Sequence, residues 1–132
     1  MVRSSGSGMK LRLQHGLLFA EARLVYRGRE LNLPNVLIDT GSAGTLFSVD
    51  HLLNLGMEYE PQDRVHRIRG VGGSEFVFTK QLDLISLADL ALHDFEIEVG
   101  AMNYGFDIDG IVGTDFLARV GAVIDMKRIE IR

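Results

Sequence analysis

The sequence predicts an all-β protein with one or two short helices. Glu96–Val99 and Arg128–Arg132 alternate polar and apolar side chains, as half-buried strands do. Val36–Ile38 is instead continuously apolar, which is typical of a strand covered on both faces. Because many short strands follow one another with glycine-containing turns between them, the pattern favours a β-barrel or a β-sandwich.

The predicted strands run along the whole chain. They cover residues 10–19, 21–28, 30–38, 64–70, 75–85, 91–99 and 122–132. Turn signals separate them at His15-Gly16, Arg27–Arg29, Val71–Ser74, Asn103–Gly105 and Arg119–Gly121.

Two short helices are predicted between these strands. Ser48 is placed to cap a helix over 49–55 that ends at Gly56. Thr114 or Asp115 is placed to cap a helix over 116–120 that ends at Gly121. Neither helix is long enough to form the scaffold of the protein.

The length of 132 residues predicts one domain. Residues 1–8 are rich in Ser and Gly and precede a second methionine, so we expect a flexible segment added by cloning, with the domain spanning 9–132. Apolar residues make up 46% of the chain and charged residues 24%, which are ordinary globular values.

Composition also excludes several classes of function. A net charge of −4 offers no field for nucleic acid. The chain has no cysteine, so disulfides, a thiolate nucleophile and thiolate zinc sites are excluded. With no apolar run near the roughly 20 residues of a membrane span and no signal peptide, we expect a cytoplasmic protein without a membrane segment.

The candidate functional group is the carboxylate of Asp39, which ends the apolar strand 36–38. Gly41 and Gly44 force the chain after it into a tight loop, and Thr40, Ser42 and Thr45 offer hydroxyls within that loop. Such a loop fixes a carboxylate in place. An isolated Asp-Thr-Gly is also typical of a structural Asx-type turn, so this loop alone does not decide between structure and chemistry.

A second motif stands about 70 residues later. In Gly110–Leu117, two apolar residues lie between glycines and lead into the second predicted helix. Taken together, the Asp39–Thr45 loop, the Gly70–Gly73 turn and this block resemble the retropepsin-like aspartic proteases. The resemblance covers nearly the whole chain from Met9.

The resemblance implies a small closed acid-protease β-barrel and an aspartic endopeptidase that needs no metal or cofactor. Each chain of that family carries one Asp-Thr-Gly, so a homodimer acting on an extended peptide or protein is implied. Asp39 then matches the catalytic aspartate, Thr40 the hydroxyl that braces the paired loops, and Gly41 the turn beneath the site. Ser42, where the family has Ala, Ser or Thr, is expected to donate to the carboxylate, and activity is expected on the acid side of neutrality.

Other positions follow from the same resemblance. The flap hairpin over the substrate is matched by Gly70, Val71, Gly72 and Gly73, although an ordinary hairpin remains an alternative. The substrate cleft is matched by Ala43, Ile111 and Val112. Arg128–Arg132 is a candidate for joining two chains. The basic segment 64–69 is read as a solvated strand face rather than as a surface that steers acidic substrates.

Two further patterns do not support a site. Asp107–Gly110 fails as a calcium loop and as a phosphatase nucleophile motif, so we assign it to a solvated loop. The histidines have no metal-like spacing and are expected at the surface or in turns; they are His15, His51, His66 and His93.

Two alternatives to an enzyme stay open at this stage. The same barrel could hold a peptide or protein partner without cleaving it, because fold does not imply function. A monomeric structural domain is the third possibility, and it would leave Asp39 without a role at the end of an apolar strand.

Overall fold

The computed structural model describes residues 8–70, 73–102 and 107–132. Its strands are β1 (Met9–Lys10), β2 (Arg12–Gln14), β3 (Leu17–Tyr26), β4 (Arg29–Ile38), β5 (Leu46–Ser48), β6 (Val65–Gly70), β7 (Gly73–Leu87), β8 (Leu90–Gly100), β9 (Gly110–Val112), β10 (Ile124–Asp125) and β11 (Glu130–Ile131). The helices are α1 (Val49–Leu52), followed directly by a 3₁₀ turn (Leu53–Leu55), and α2 (Thr114–Arg119). The predicted all-β class with short helices is confirmed.

Six of the strands form a closed ring. β3 pairs with β4, β4 with β9, β9 with β5, β5 with β8, and β8 with β7. β7 returns to β3 through the pairs Arg23↔Ser86 to Val25↔Leu84 and closes the ring. The β4–β9 and β5–β8 pairs are parallel, and the remaining pairs of the ring are antiparallel. The predicted closed barrel is therefore confirmed.

The side chains at alternate positions of the strands point inward and fill the inside of this barrel. In β8, for example, Ile97 and Val99 are buried in the main core, whereas Glu96 on the opposite face is exposed. The continuously apolar end of β4 is buried on both faces, because Val36 and Ile38 belong to the main core and Leu37 belongs to a second apolar cluster outside it. This position explains why the strand carries no polar residue just before Asp39.

The β3–β4 hairpin forms where the turn signal predicts it. Arg27 and Gly28 are its two turn residues, with φ of 48° and 81°. Positive φ at both central positions matches the right-handed twist of the flanking strands. The turn between β7 and β8 differs, because of its two residues only Ala88 has positive φ, at 51°, and the sequence there contains no glycine.

Two predicted strands are wrong in their extent. The segment 10–19 is broken by a turn at His15 and Gly16, both with positive φ. The segment 122–132 is broken between β10 and β11, because the Asp125 carboxylate accepts hydrogen bonds from two backbone N–H groups of the turn, at 127 and 128. β11 pairs with β1 on one side and β10 on the other, so the C-terminal strand offers no free edge to a second chain.

The helices differ from the prediction at their starts. Ser48 occupies the N-cap of α1, but its hydroxyl makes no capping hydrogen bond. α2 begins two residues earlier than predicted, and Gly113 rather than Thr114 or Asp115 is its N-cap. The predicted stops at Gly56 and Gly121 hold, with φ of 70° and 64°. Within the described residues, none of the helices has the length and apolarity needed to span a bilayer.

An ion-pair network around the buried amine of Lys80 ties the loop before β6 to the barrel wall. Lys80 of β7, with a side chain only 3% exposed, places Nζ 2.6 Å from Glu60 Oε1 and 2.8 Å from Asp63 Oδ2. Arg27 reaches the same oxygen of Glu60 at 2.8 Å. Burial lowers the pKa of Lys80, but the hydrogen bonds to Asp63 and Glu60 raise it by more, so the amine stays charged.

This network predicts acid sensitivity. Hydrogen bonds from Lys80 and Arg27 lower the pKa of Glu60 to about 2. Because a Glu in the unfolded chain has a pKa of about 4.3, the stabilisation is complete above that pH and is lost as the pH falls towards 2. The free energy of unfolding of Glu60→Gln should therefore fall less steeply than that of the wild type when denaturation is measured at decreasing pH. The exposed neighbour Glu58→Gln is the control, and equal slopes for all three proteins would contradict the prediction.

Candidate active site

Asp39 lies half-exposed at the end of β4, where the barrel wall passes into a loop. Its backbone N–H donates to the Val112 carbonyl of the neighbouring strand β9 at 3.0 Å. Its Oδ1 accepts a hydrogen bond from the Gly41 N–H at 2.9 Å. The carboxylate is thus held by the backbone on one side and partly exposed to solvent on the other.

The loop after Asp39 is closed on itself. The Ser42 N–H donates to the Asp39 carbonyl at 3.1 Å, which completes a tight turn. Thr40, Gly41 and Ala43 are exposed. The Ser42 hydroxyl donates to the Gly44 carbonyl at 2.8 Å, so the expected donation to the Asp39 carboxylate is wrong for this chain: the single hydroxyl proton is already used to hold the loop.

The Gly110–Gly113 block supports this loop from below. Its first three residues form β9, which lies between β4 and β5 in the barrel. Gly113 approaches the loop so closely that a Cβ atom there would lie 2.3 Å from the Gly44 carbonyl oxygen and 2.6 Å from that of Ser42. Only glycine permits this contact between two stretches of backbone.

The start of α2 fixes the loop with hydrogen bonds. Both the N–H and the hydroxyl of Thr114 donate to the Ser42 carbonyl, at 2.8 and 3.2 Å. Thr45, which is 1% exposed, donates its hydroxyl to Asp115 Oδ1 at 2.7 Å and accepts from the Gly113 N–H at 3.2 Å. The sequence indicates that Thr45 offers a hydroxyl in the loop, but it does not predict that Asp115 accepts from it. The two residues are 70 positions apart, and no local pattern reveals that they are in contact.

Thr45→Val is expected to loosen the loop. Valine has nearly the same volume as threonine but no hydroxyl. The buried Gly113 N–H therefore loses its acceptor and Asp115 loses a donor, so the free energy of unfolding should fall by about 2 kcal/mol. Chemical denaturation of the purified variant measures this cost. Thr45→Ser, which keeps the hydroxyl, is the matched control, and equal destabilisation by both changes would show that the hydroxyl is not what matters.

The face of the barrel that carries Asp39 is lined by apolar side chains. Leu37 pairs with Ile111 across the β4–β9 boundary, and paired residues point to the same side of a sheet. They belong to the second apolar cluster, which lies apart from the main core; its members are Leu17, Phe19, Leu37, Met102, Ile108 and Ile111. Ile111 is therefore partly exposed on the face that carries Asp39, and its contact with a substrate stays a prediction.

Val112 is a correction to the predicted cleft. It alternates with Ile111 and points into the main core, where none of its surface is exposed. A fully buried side chain cannot contact a substrate. Since successive residues of a strand face opposite sides, the pattern allowed one of the pair to reach the cleft.

The strands on either side of the predicted flap tip form a β-hairpin. β6 and β7 pair in register from Val65↔Phe78 to Gly70↔Gly73. Val71 and Gly72, the predicted tip, lie outside the described residues. Whether the hairpin covers a substrate remains a prediction.

Asp109 corrects the assignment of 107–110 to a solvated loop. It is only 2% exposed, and its carboxylate accepts the Asn35 N–H at 2.9 Å and lies 3.0 Å from His51 Nε2. His51, Asp107 and Asp109 each offer one potential cation ligand, and the three ligand atoms lie within 4.8 Å of one another. The Asn35 and His51 contacts occupy both oxygens of Asp109 and join α1 to the strands, which accounts for the cluster as a structural link.

Three comparisons with known proteins bear on this site. A family model described as aspartyl protease matches residues 24–116, which include the Asp39 loop, the β6–β7 hairpin and the Gly110–Gly113 block. The crystal structure of a retropepsin-like aspartic protease from Rickettsia conorii is similar with a TM-score of 0.67, over 96% of this chain and 98% of that chain, at 15% sequence identity. At that identity the similarity concerns the fold. No curated protein sequence matches the chain.

Proposed function

Because the chain belongs to the aspartyl protease family, whose model spans most of its length, we propose that it is an aspartic endopeptidase that works as a homodimer. Family and fold support a protease. The dimer, the role of each residue and the mechanism are parts of the proposal.

The observation that carries the proposal is Asp39 itself. Its carboxylate is half-exposed and accepts a hydrogen bond from the Gly41 N–H. Gly113 packs against the loop that follows it, so the carboxylate is held in place and still partly accessible. Peptide hydrolysis by aspartates requires two carboxylates, and this chain holds one Asp-Thr-Gly. The second carboxylate would be supplied by Asp39 of another copy, across a two-fold axis.

The proposed chemistry follows from bringing these carboxylates together. Two carboxylates within about 3 Å cannot both be ionised, so the pair holds one proton, as the paired carboxylates of aspartic proteases do. The ionised member takes a proton from a water molecule between them, and the water attacks the peptide carbonyl carbon. The protonated member stabilises the oxygen that gains negative charge, and proton return to the nitrogen releases the amine.

The neighbouring residues have supporting roles in this proposal. Thr40 is exposed beside Asp39 and is available to brace the partner loop. The partly exposed side chain of Ile111, which packs against the buried Leu37, would contact an apolar side chain of an extended peptide, next to Ala43. The β6–β7 hairpin with Gly70, Val71, Gly72 and Gly73 at its end would close over the peptide.

Size in solution and proteolysis together test this function. The purified chain is expected to form a dimer, measured by sedimentation, and to cleave a denatured protein on the acid side of neutrality. A bell-shaped pH dependence is expected, because one carboxylate must be ionised and one protonated. A chain that stays monomeric and inactive with denatured proteins at every pH would contradict the proposal, as would activity that peaks above about pH 8.

A further inference from the structure

A second carboxylate, that of Glu98, lies on the same face of the barrel as Asp39. Glu98 of β8 pairs with Leu46 of β5, and Leu46 pairs with Ile111 of β9. Because paired residues point to the same side, Glu98, Leu46 and Ile111 form one row across the face next to the Asp39 loop. Neighbouring Val99 points the other way, into the core.

Glu98 contacts the loop through its backbone and through its side chain. Its backbone N–H donates to the Thr45 carbonyl at 2.9 Å, which fixes β8 against the end of the loop. A Cβ atom on Gly44 would lie 3.6 Å from Glu98 Oε1, so the carboxylate lies beside Gly44 and meets no side chain there. The side chain is 30% exposed and therefore accessible to a bound peptide.

Within the described residues, the basic side chain that contacts the Glu98 carboxylate belongs to the β6–β7 hairpin. His66 of β6 places Nε2 3.3 Å from Glu98 Oε1, and its own side chain is 42% exposed. A histidine neutralises a carboxylate only when it is protonated. The neighbouring Glu96 differs, because it pairs with the permanently charged Arg64.

We propose that Glu98 is a specificity-determining residue that selects a Lys or Arg side chain of the peptide at the position beside Gly44. This inference rests on the proposed function. A basic side chain entering from the cleft would meet a partly exposed carboxylate at the end of an otherwise apolar row, and the absence of a side chain at Gly44 leaves room for it. An acidic side chain at that position would meet like charge and be disfavoured.

Cleavage of a library of short synthetic peptides of random sequence tests the proposal. Mass spectrometry of the products from the wild type should show Lys and Arg enriched about fivefold at one position near the cleaved bond, as expected for one partly exposed charge pair. Glu98→Gln should abolish this enrichment, and Glu98→Lys should replace it with enrichment of Asp and Glu. Glu96→Gln, on the same strand and face, is the matched control and should leave the enrichment unchanged.

The outcomes separate this inference from the proposed function. If the wild type cleaves peptides and Glu98→Gln keeps the same preference for basic residues, or if the wild type has none, the inference is overturned and Glu98 only joins β8 to the hairpin. If the wild type cleaves no peptide, the proposed function fails. Retention of the same library on immobilised Asp39→Asn protein, with and without Glu98→Gln, then decides the charge preference: enrichment of basic peptides lost with Glu98→Gln supports it, and equal retention overturns it.

Discussion

Asp39→Asn is expected to reduce kcat/KM for peptide cleavage by about 10⁴-fold or more, with the fold and the dimer retained. The asparagine side chain still offers an oxygen to the Gly41 N–H, which donates to Asp39 Oδ1 at 2.9 Å, so the loop keeps its hydrogen bond. The amide cannot take a proton from water or hold one for the leaving amine. The loss should therefore appear in the chemistry and leave the assembly unchanged.

Peptide cleavage, sedimentation and thermal unfolding of the same samples measure the effect. Asp50→Asn, an exposed aspartate on α1, is the matched control and should retain full activity. Cleavage that survives Asp39→Asn would contradict the enzyme proposal. If cleavage is lost together with the dimer, Asp39 would instead have a structural role.

Mixing the two proteins gives a sharper result. If each active site needs Asp39 from both copies, adding Asp39→Asn to the wild type at constant total concentration makes mixed dimers without a complete pair. Activity should then fall as the square of the wild-type fraction once the subunits have exchanged. A linear fall would show that one copy suffices.

The parts of the fold that the sequence predicts depend on local signals. The Asp39 loop and the hairpin ending in Gly70 and Gly73 are recognised by clusters of glycines in the sequence, and the stops of both helices by Gly56 and Gly121, whose positive φ favours glycine. The terminal segment 122–132 misled because its residues alternate like a strand, while the Asp125 carboxylate holds a turn through backbone hydrogen bonds that alternation does not reveal. Periodicity predicts which residues are buried and does not predict where a strand bends.

The parts of the site that were missed depend on strand register. Thr45 meets Asp115 and Glu98 lies beside Gly44 because β5, β8 and β9 are adjacent in the barrel, although they are far apart in the chain. Register also decides that Val112 points into the main core and Ile111 into the second apolar cluster. A single sequence contains no direct signal for such pairings, since a shift of one residue would exchange the two faces.

Gly113→Ala is expected to damage both stability and catalysis. The added Cβ would lie 2.3 Å from the Gly44 carbonyl oxygen and 2.6 Å from that of Ser42, and both contacts are with backbone. The Ser42 carbonyl cannot move away freely, because Thr114 donates two hydrogen bonds to it. The loop and the start of α2 must therefore separate, at a cost of about 3 kcal/mol in the free energy of unfolding.

Gly44→Ala provides the matched comparison in the same loop. There the added Cβ would first meet Glu98 Oε1 at 3.6 Å, an ordinary contact, so its free energy of unfolding should stay within about 0.5 kcal/mol of the wild type. Chemical denaturation at one protein concentration compares the two variants, because dimerisation would make stability depend on concentration. Cleavage by Gly113→Ala should fall along with its stability, since the displaced loop is the one that holds Asp39. Wild-type stability and activity in Gly113→Ala would mean that the contact between β9 and the loop does not position the carboxylate.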